Sequence, residues 1–224
     1  VYCVIKLSDL LMFNIPFEWM TLSFGVSALT SWLIIIWFAR TKTQRLKRND
    51  TSAVQASHLN PTPRVAGLAI VIALIVAAAL SHNADNWTTF VLLLVSAIPV
   101  FVVGLAEDLG YSASPRRRLL AATVSGAVFV VLIGQWVLHT GIPGLDTALH
   151  WSPFAVAFSL FLAVGISHAF NLIDGLNGLA GFTAFAASLA LATIAHQSVL
   201  TEHRDILLTI AAAIIGFLVF NFPF

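Results

Sequence analysis

Three short stretches of this chain concentrate nearly all the side chains able to do chemistry. The densest is His168-Ala169-Phe170-Asn171-Leu172-Ile173-Asp174-Gly175-Leu176-Asn177-Gly178-Leu179-Ala180-Gly181. Asn171, Asp174 and Asn177 recur every third residue, so on a helical path neighbours share a face. Gly175, Gly178 and Gly181 allow backbone or ligand to approach closely. A tight turn accounts for the glycines and one asparagine; a lone aspartate flanked by amides points to a polar site. The second stretch pairs Glu107-Asp108 with Ser114-Pro115-Arg116-Arg117-Arg118. Adjacent carboxylates at the end of an apolar run are costly unless solvated, paired or bound to a cation. With the arginines close by they could handle magnesium and phosphate together. Equally, the acids read as a helix terminus and the arginines as a topology signal contacting anionic lipid. The third stretch is His58-Leu59-Asn60-Pro61-Thr62-Pro63-Arg64-Val65-Ala66-Gly67. Its prolines fix an extended entry to a helix whose first amides favour an anion. Arg64 could add a bidentate phosphate contact, or simply anchor the helix at the head groups.

The elements that must carry these stretches are membrane spans. Of 224 residues, 59% are hydrophobic and 9% charged, with a mean hydropathy of +0.94. Soluble domains carry about 25% charged residues, so this chain lacks the polar surface to cover a globule in water. Uncharged runs cover 19–39, 65–84, 86–106, 119–145, 147–173, 175–201 and 206–224. Each holds the roughly 20 apolar residues that cross a hydrocarbon core about 30 Å thick. In lipid such runs satisfy their own backbone as helices, and no barrel-like alternation is present. The expectation is an all-α integral membrane protein, a polytopic bundle of about seven transmembrane helices in one domain over 1–224. Spans are expected near 20–39, 65–81, 88–105, 119–138, 152–170, 178–195 and 205–221.

If the spans alternate, one side holds Arg40, Lys42, Arg45, Lys47, Arg48, Arg64, Arg116, Arg117 and Arg118, and the other only Lys6 and Arg204. That asymmetry places the three polar stretches in the cytoplasm and the N-terminus outside. Trp87, Trp136 and Trp151 fall near the outer span ends, where indoles favour the interface. His82, His139, His150, His196 and His203 lie on the outer side without metal-ligand spacing and read as surface or interfacial residues. Cys3 is the single cysteine, so no internal disulfide forms. No signal-peptide cleavage pattern is evident, and the first span serves as the insertion signal.

In order and on one side, the stretches HLNPTPRVAGLAI (58–70), GLAEDLGYSASPRRRLLAA (104–122) and HAFNLIDGLNGLAGF (168–182) resemble the polyprenyl-phosphate N-acetylhexosamine-1-phosphate transferases, glycosyl transferase family 4. GFLVFNFPF (216–224) resembles the family's approach to its next motif. The resemblance implies a bacterial inner-membrane enzyme that passes N-acetylhexosamine 1-phosphate from a UDP-sugar to undecaprenyl phosphate, releasing UMP. Such a step initiates O-antigen-like, lipopolysaccharide or peptidoglycan synthesis. It implies magnesium, with manganese as an alternative ion, and membrane lipids as surroundings; nucleic acid is not a partner, and a homodimer is left open. Asp108, Glu107 and Asp174 are implied catalytic residues, with Asp108 and Asp174 on the metal. Asn171, Asn177, Arg64, His58, Arg116, Arg117 and Arg118 are implied to bind substrate.

This chain departs from the family in having Glu107 where Asp is commoner, Ala66 for a glycine, and Asn177 where some members have Asp. The chain runs from Val1 to Asn221-Phe222-Pro223-Phe224 without the family's later Gly-Asp-x-Gly motif, which supplies a further metal-binding Asp. The seven spans are then expected to be part of an enzyme of about ten or eleven, and residues 1–224 alone to be inactive. A reading from another class is a multi-pass transporter or channel. Transporters place polar groups near the bilayer midplane, whereas the acids here fall at span ends.

Overall fold

A computed structural model describes residues 17–40, 67–80, 84–111, 114–173 and 178–221. Among them are eight helices and no strands: α1 Phe17–Arg40, α2 Gly67–Leu80, α3 Ala84–Asp108, α4 Pro115–Ile133, α5 Pro143–Leu149, α6 Ser152–Ile173, α7 Leu179–Gln197 and α8 Thr201–Asn221. Segments of α1, α3, α6, α7 and α8 are each long and apolar enough to cross a membrane. The protein is therefore an all-α polytopic membrane protein. The 14 residues of α2 reach about 21 Å at 1.5 Å per residue. α4 is nearly as apolar beyond its three opening arginines.

The bundle closes around α8, which packs most extensively against α1 and α7. Small residues make this possible: a Cβ built at Gly216 of α8 would stand 2.5 Å from the Phe24 carbonyl oxygen of α1. Ser23, Ser27 and Ser31, one turn apart, are buried on α1, and Ser27 Oγ donates to the Ala213 carbonyl of α8 at 2.7 Å. In lipid there is little hydrophobic force between helices, so close backbone approach and interhelical hydrogen bonds do the joining. Ala73, Leu74, Ala77 and Ala78 of α2, Phe90 of α3 and Ile206 and Ala213 of α8 form the apolar core beside this seam.

α3, α4 and α6 make a second wall. Pro99 lies inside α3, where its ring removes one ladder donor and opens the turn. The next amide, Val100 N–H, donates instead to Ser125 Oγ of α4 at 3.0 Å. A proline that weakens one helix thus ties it to its neighbour. α4 meets α6 at Gly126, where a Cβ would stand 2.8 Å from Leu160 Cδ2. Just past the end of α4, Val137 N–H donates to Ser159 Oγ of α6 at 2.8 Å, so the two helices run antiparallel. The apolar run containing α4 continues to Leu145, yet the helix stops at Ile133 rather than near 138. Gly134 takes φ 71 and returns its N–H to the Val130 carbonyl, a left-handed cap that ends the ladder.

The ends of the helices sort into two groups. Seven residues separate Val100 from Glu107 on α3, and seven separate Ser125 from Arg118 on α4. The end of α3 therefore meets the start of α4. By the α4–α6 register the last turn of α6 lies at that same end. Gly181 near the start of α7 packs against Leu218 near the end of α8. The short connection from Ile173 to Gly178 joins these helices to the same end. We call it the basic end, for Arg116–Arg118.

At the opposite end, Asp146 of α5 organises the turn before that helix. Its carboxylate accepts from Thr140 N–H (2.6 Å), Thr140 Oγ1 (2.7 Å) and Gly141 N–H (3.1 Å), and His139 Nδ1 lies 2.7 Å away. The Thr140 hydroxyl, joined by these amides and His139, holds the Asp146 carboxyl below the ordinary aspartate range. Arg204 falls just before the span expected near 205–221. It lies inside the first turn of α8, 6% exposed, because Asp205 at 2.7 Å and His196 at 3.4 Å receive its guanidinium. His196 is thus part of a packed cluster, while His139, His150 and His203 are exposed.

Candidate functional site

Glu107 and Asp108 occupy the last turn of α3. That turn is closed by Gly110 N–H to the Glu107 carbonyl (2.9 Å) and Tyr111 N–H to the Ala106 carbonyl (3.0 Å), with Gly110 at φ 91. This paired-bond cap fixes where the helix ends and presents the two carboxylates beside the start of α4. There Ser114 Oγ accepts from Arg117 N–H and Pro115 takes the first helical position, a strong start signal.

α4 then opens on three arginines and no acid. Cations at a helix N-terminus oppose its dipole, by about 0.3–1 kcal/mol each. The arrangement costs stability locally and gathers positive charge at one point, which suits an anion. Arg116 and Arg117 are exposed. Arg118 folds back onto α3, with Nη1 3.5 Å from Glu107 Oε1. Its Nε is buried without a hydrogen-bond partner.

Asn171 is exposed in the last turn of α6. One turn earlier on the same face stands His168, half-buried, with Nε2 buried and unpartnered. His58, Arg64, Asp174 and Asn177 lie outside the described residues. Of the expected site residues, the structure brings Glu107 and Arg118 into contact and places Asp108, Arg116, Arg117 and Asn171 at the same end. His168 is the residue that sequence reasoning did not single out. The signal was present, because the three-residue spacing of 171, 174 and 177 extends back to 168.

The carboxylate oxygens of Glu107 and Asp108 suit a hard cation such as magnesium, which commonly uses one or two carboxylates plus substrate phosphates. Among the described residues, no three His, Cys, Asp or Glu side chains gather into a metal-holding group. Glu107 is engaged by Arg118. Acids, arginines and an amide at one helix-bundle end make an arrangement able to bind and orient phosphates.

Comparison with known proteins bears on which phosphates. The family model described as glycosyl transferase family 4 matches residues 90–224. The chain is 30% identical to the phospho-N-acetylmuramoyl-pentapeptide-transferase of Leptospira biflexa serovar Patoc, over 92% of this chain and 67% of that protein. It is 28% identical to a probable undecaprenyl-phosphate N-acetylglucosaminyl 1-phosphate transferase of Bacillus subtilis, over 89% of this chain and 55% of that one. With the Bacillus subtilis phospho-N-acetylmuramoyl-pentapeptide-transferase it shares 27% identity, over 89% and 65%. The chain thus spans between about half and two thirds of the length of these relatives. No solved structure gives a significant match.

Proposed function

Because the chain belongs to glycosyl transferase family 4, we propose that it transfers an N-acetylhexosamine 1-phosphate from a UDP-sugar to undecaprenyl phosphate. An oxygen of the carrier phosphate attacks the sugar-bearing phosphorus of the UDP-sugar. A new P–O–P bond forms, the bond to the bridging oxygen breaks, and UMP leaves. The product, a lipid-diphosphate sugar, starts a cell-envelope glycan at the bacterial inner membrane, with the basic end facing the cytoplasm.

The observation that carries this reading is the meeting of Glu107-Asp108 with the arginine-opened α4 at one bundle end. Phosphoryl transfer asks chiefly for positioning and charge neutralisation, and these residues offer both. In this reading Arg116 and Arg117 attract and orient phosphate, while Arg118 and Glu107 lock α3 to α4. Asp108 takes the carrier-phosphate proton, and Asn171 and Asn177 hold the nucleotide sugar. Arg64 and His58 add phosphate contacts from the first loop. Asp108 and Asp174 would hold magnesium, which when bound neutralises charge on the reacting phosphates.

The test is an assay of UMP release by the whole gene product, with undecaprenyl phosphate, magnesium and a panel of UDP-N-acetylhexosamines. Release that needs both the carrier and one of the sugars is expected. Absence of release or exchange with every UDP-N-acetylhexosamine sinks the proposal.

A further inference from the structure

We infer that His168 is a further substrate-binding residue of this site, donating from α6 to the diphosphate of the nucleotide sugar. The inference rests on the reaction proposed above. His168 Nε2 is buried without a partner, and a buried polar atom left unpaired costs about 1–3 kcal/mol. The ring is not sealed in the core, since the residue remains partly exposed. It sits three residues before Asn171, on the same face of α6.

Depth supports the same assignment. From the α4–α6 contact at Gly126 with Leu160 and Ala163, Arg118 lies eight residues back along α4, and His168 five to eight residues forward along α6. At 1.5 Å per residue both stand about 8–12 Å toward the basic end. Among the described residues, Arg118 Nε is a second buried, unpartnered nitrogen at this depth. Two nitrogen donors left unsatisfied on adjacent helices, level with each other and beside two exposed arginines, match the oxygens of a phosphate. With Nε2 protonated, imidazole donates one hydrogen bond to a phosphate oxygen.

The test compares wild type with His168→Ala and His168→Gln in the whole gene product, measuring UMP release while each substrate is varied in turn. A hydrogen bond to a charged group is worth about 1.5–3 kcal/mol, which is roughly a tenfold change or more in affinity. His168→Ala should raise KM for the UDP-sugar by at least about tenfold and leave KM for undecaprenyl phosphate unchanged. His168→Gln, which keeps an N–H donor, should recover most of the loss. Equilibrium binding of UDP to the same proteins should weaken in step.

If His168→Ala and His168→Gln bind UDP as wild type does, the inference fails. It also fails if only kcat or thermal stability falls, or if the change is confined to KM for the carrier. Should the wild-type protein itself show no turnover, the fault lies with the proposed reaction; wild-type turnover with an indifferent His168 faults this inference alone.

Discussion

Glu107 and Asp108 are neighbours in sequence with different surroundings. Glu107 faces Arg118 across 3.5 Å, with each side chain about one third exposed, and such screened pairs contribute about 0–1 kcal/mol. Glu107→Gln should therefore lower stability by less than about 1 kcal/mol in a denaturation series. Activity should fall only in part, because Arg118 keeps an amide to lean on. The residue types of the site were legible in the sequence, since carboxylates and arginines in an otherwise apolar chain stand out. The pairing of Glu107 with Arg118 was not, because it depends on the cap at Gly110 and the restart at Ser114. His168 shares the three-residue spacing of 171, 174 and 177, but its buried, unpartnered Nε2 depends on the packing around it. At the opposite end, the depressed Asp146 carboxyl makes a pH prediction. Its stabilising contribution is complete above the ordinary aspartate value of 3.8 and is lost as pH falls through the lower folded value. Wild type should thus unfold at a higher temperature than Asp146→Asn near neutral pH, and the difference should shrink below 3.8. A difference that persists in acid would contradict this.

At the scale of elements, hydropathy located the longer helices, because each needs a long apolar run to cross lipid, but not the seven-residue α5. What it missed were ends set by specific bonds. The stop after Ile133 is a left-handed glycine inside a run that stays apolar. The start of α8 at Thr201 takes in Arg204, whose charge is met by Asp205 and His196 around it. The joints between helices are equally specific. Gly216 lets α8 lie against α1, so Gly216→Leu should destabilise the bundle by about 1–3 kcal/mol or more, as overpacking does. The measure is loss of detergent-stable, monodisperse protein on heating. Leucine tolerated at wild-type stability would refute the packing described for α1 and α8. His58, Arg64, Asp174 and Asn177 lie outside the described residues, so their arrangement rests on sequence alone.

For the whole molecule, two walls of helices meet with their chemistry gathered at one end. α3, α4 and α6 bring the acids, the arginines and Asn171, while α1, α2, α7 and α8 supply the small-residue seam. The end carrying Asp146 and His139 is the other face of the membrane in this account. Single cysteines placed at Ser114 and His150, in a protein lacking Cys3, should therefore label from opposite sides of sealed vesicles. In the reaction proposed above, phosphate is transferred at the basic end. The most direct test of this is UMP release by the Asp108→Asn and Asp174→Asn forms of the whole gene product, each shown to insert normally into the membrane. Each substitution removes one charge with little change of shape, and loss of turnover by at least about a hundredfold is predicted for both, from the charge stabilisation such groups supply. Turnover at the wild-type rate in both would contradict the account.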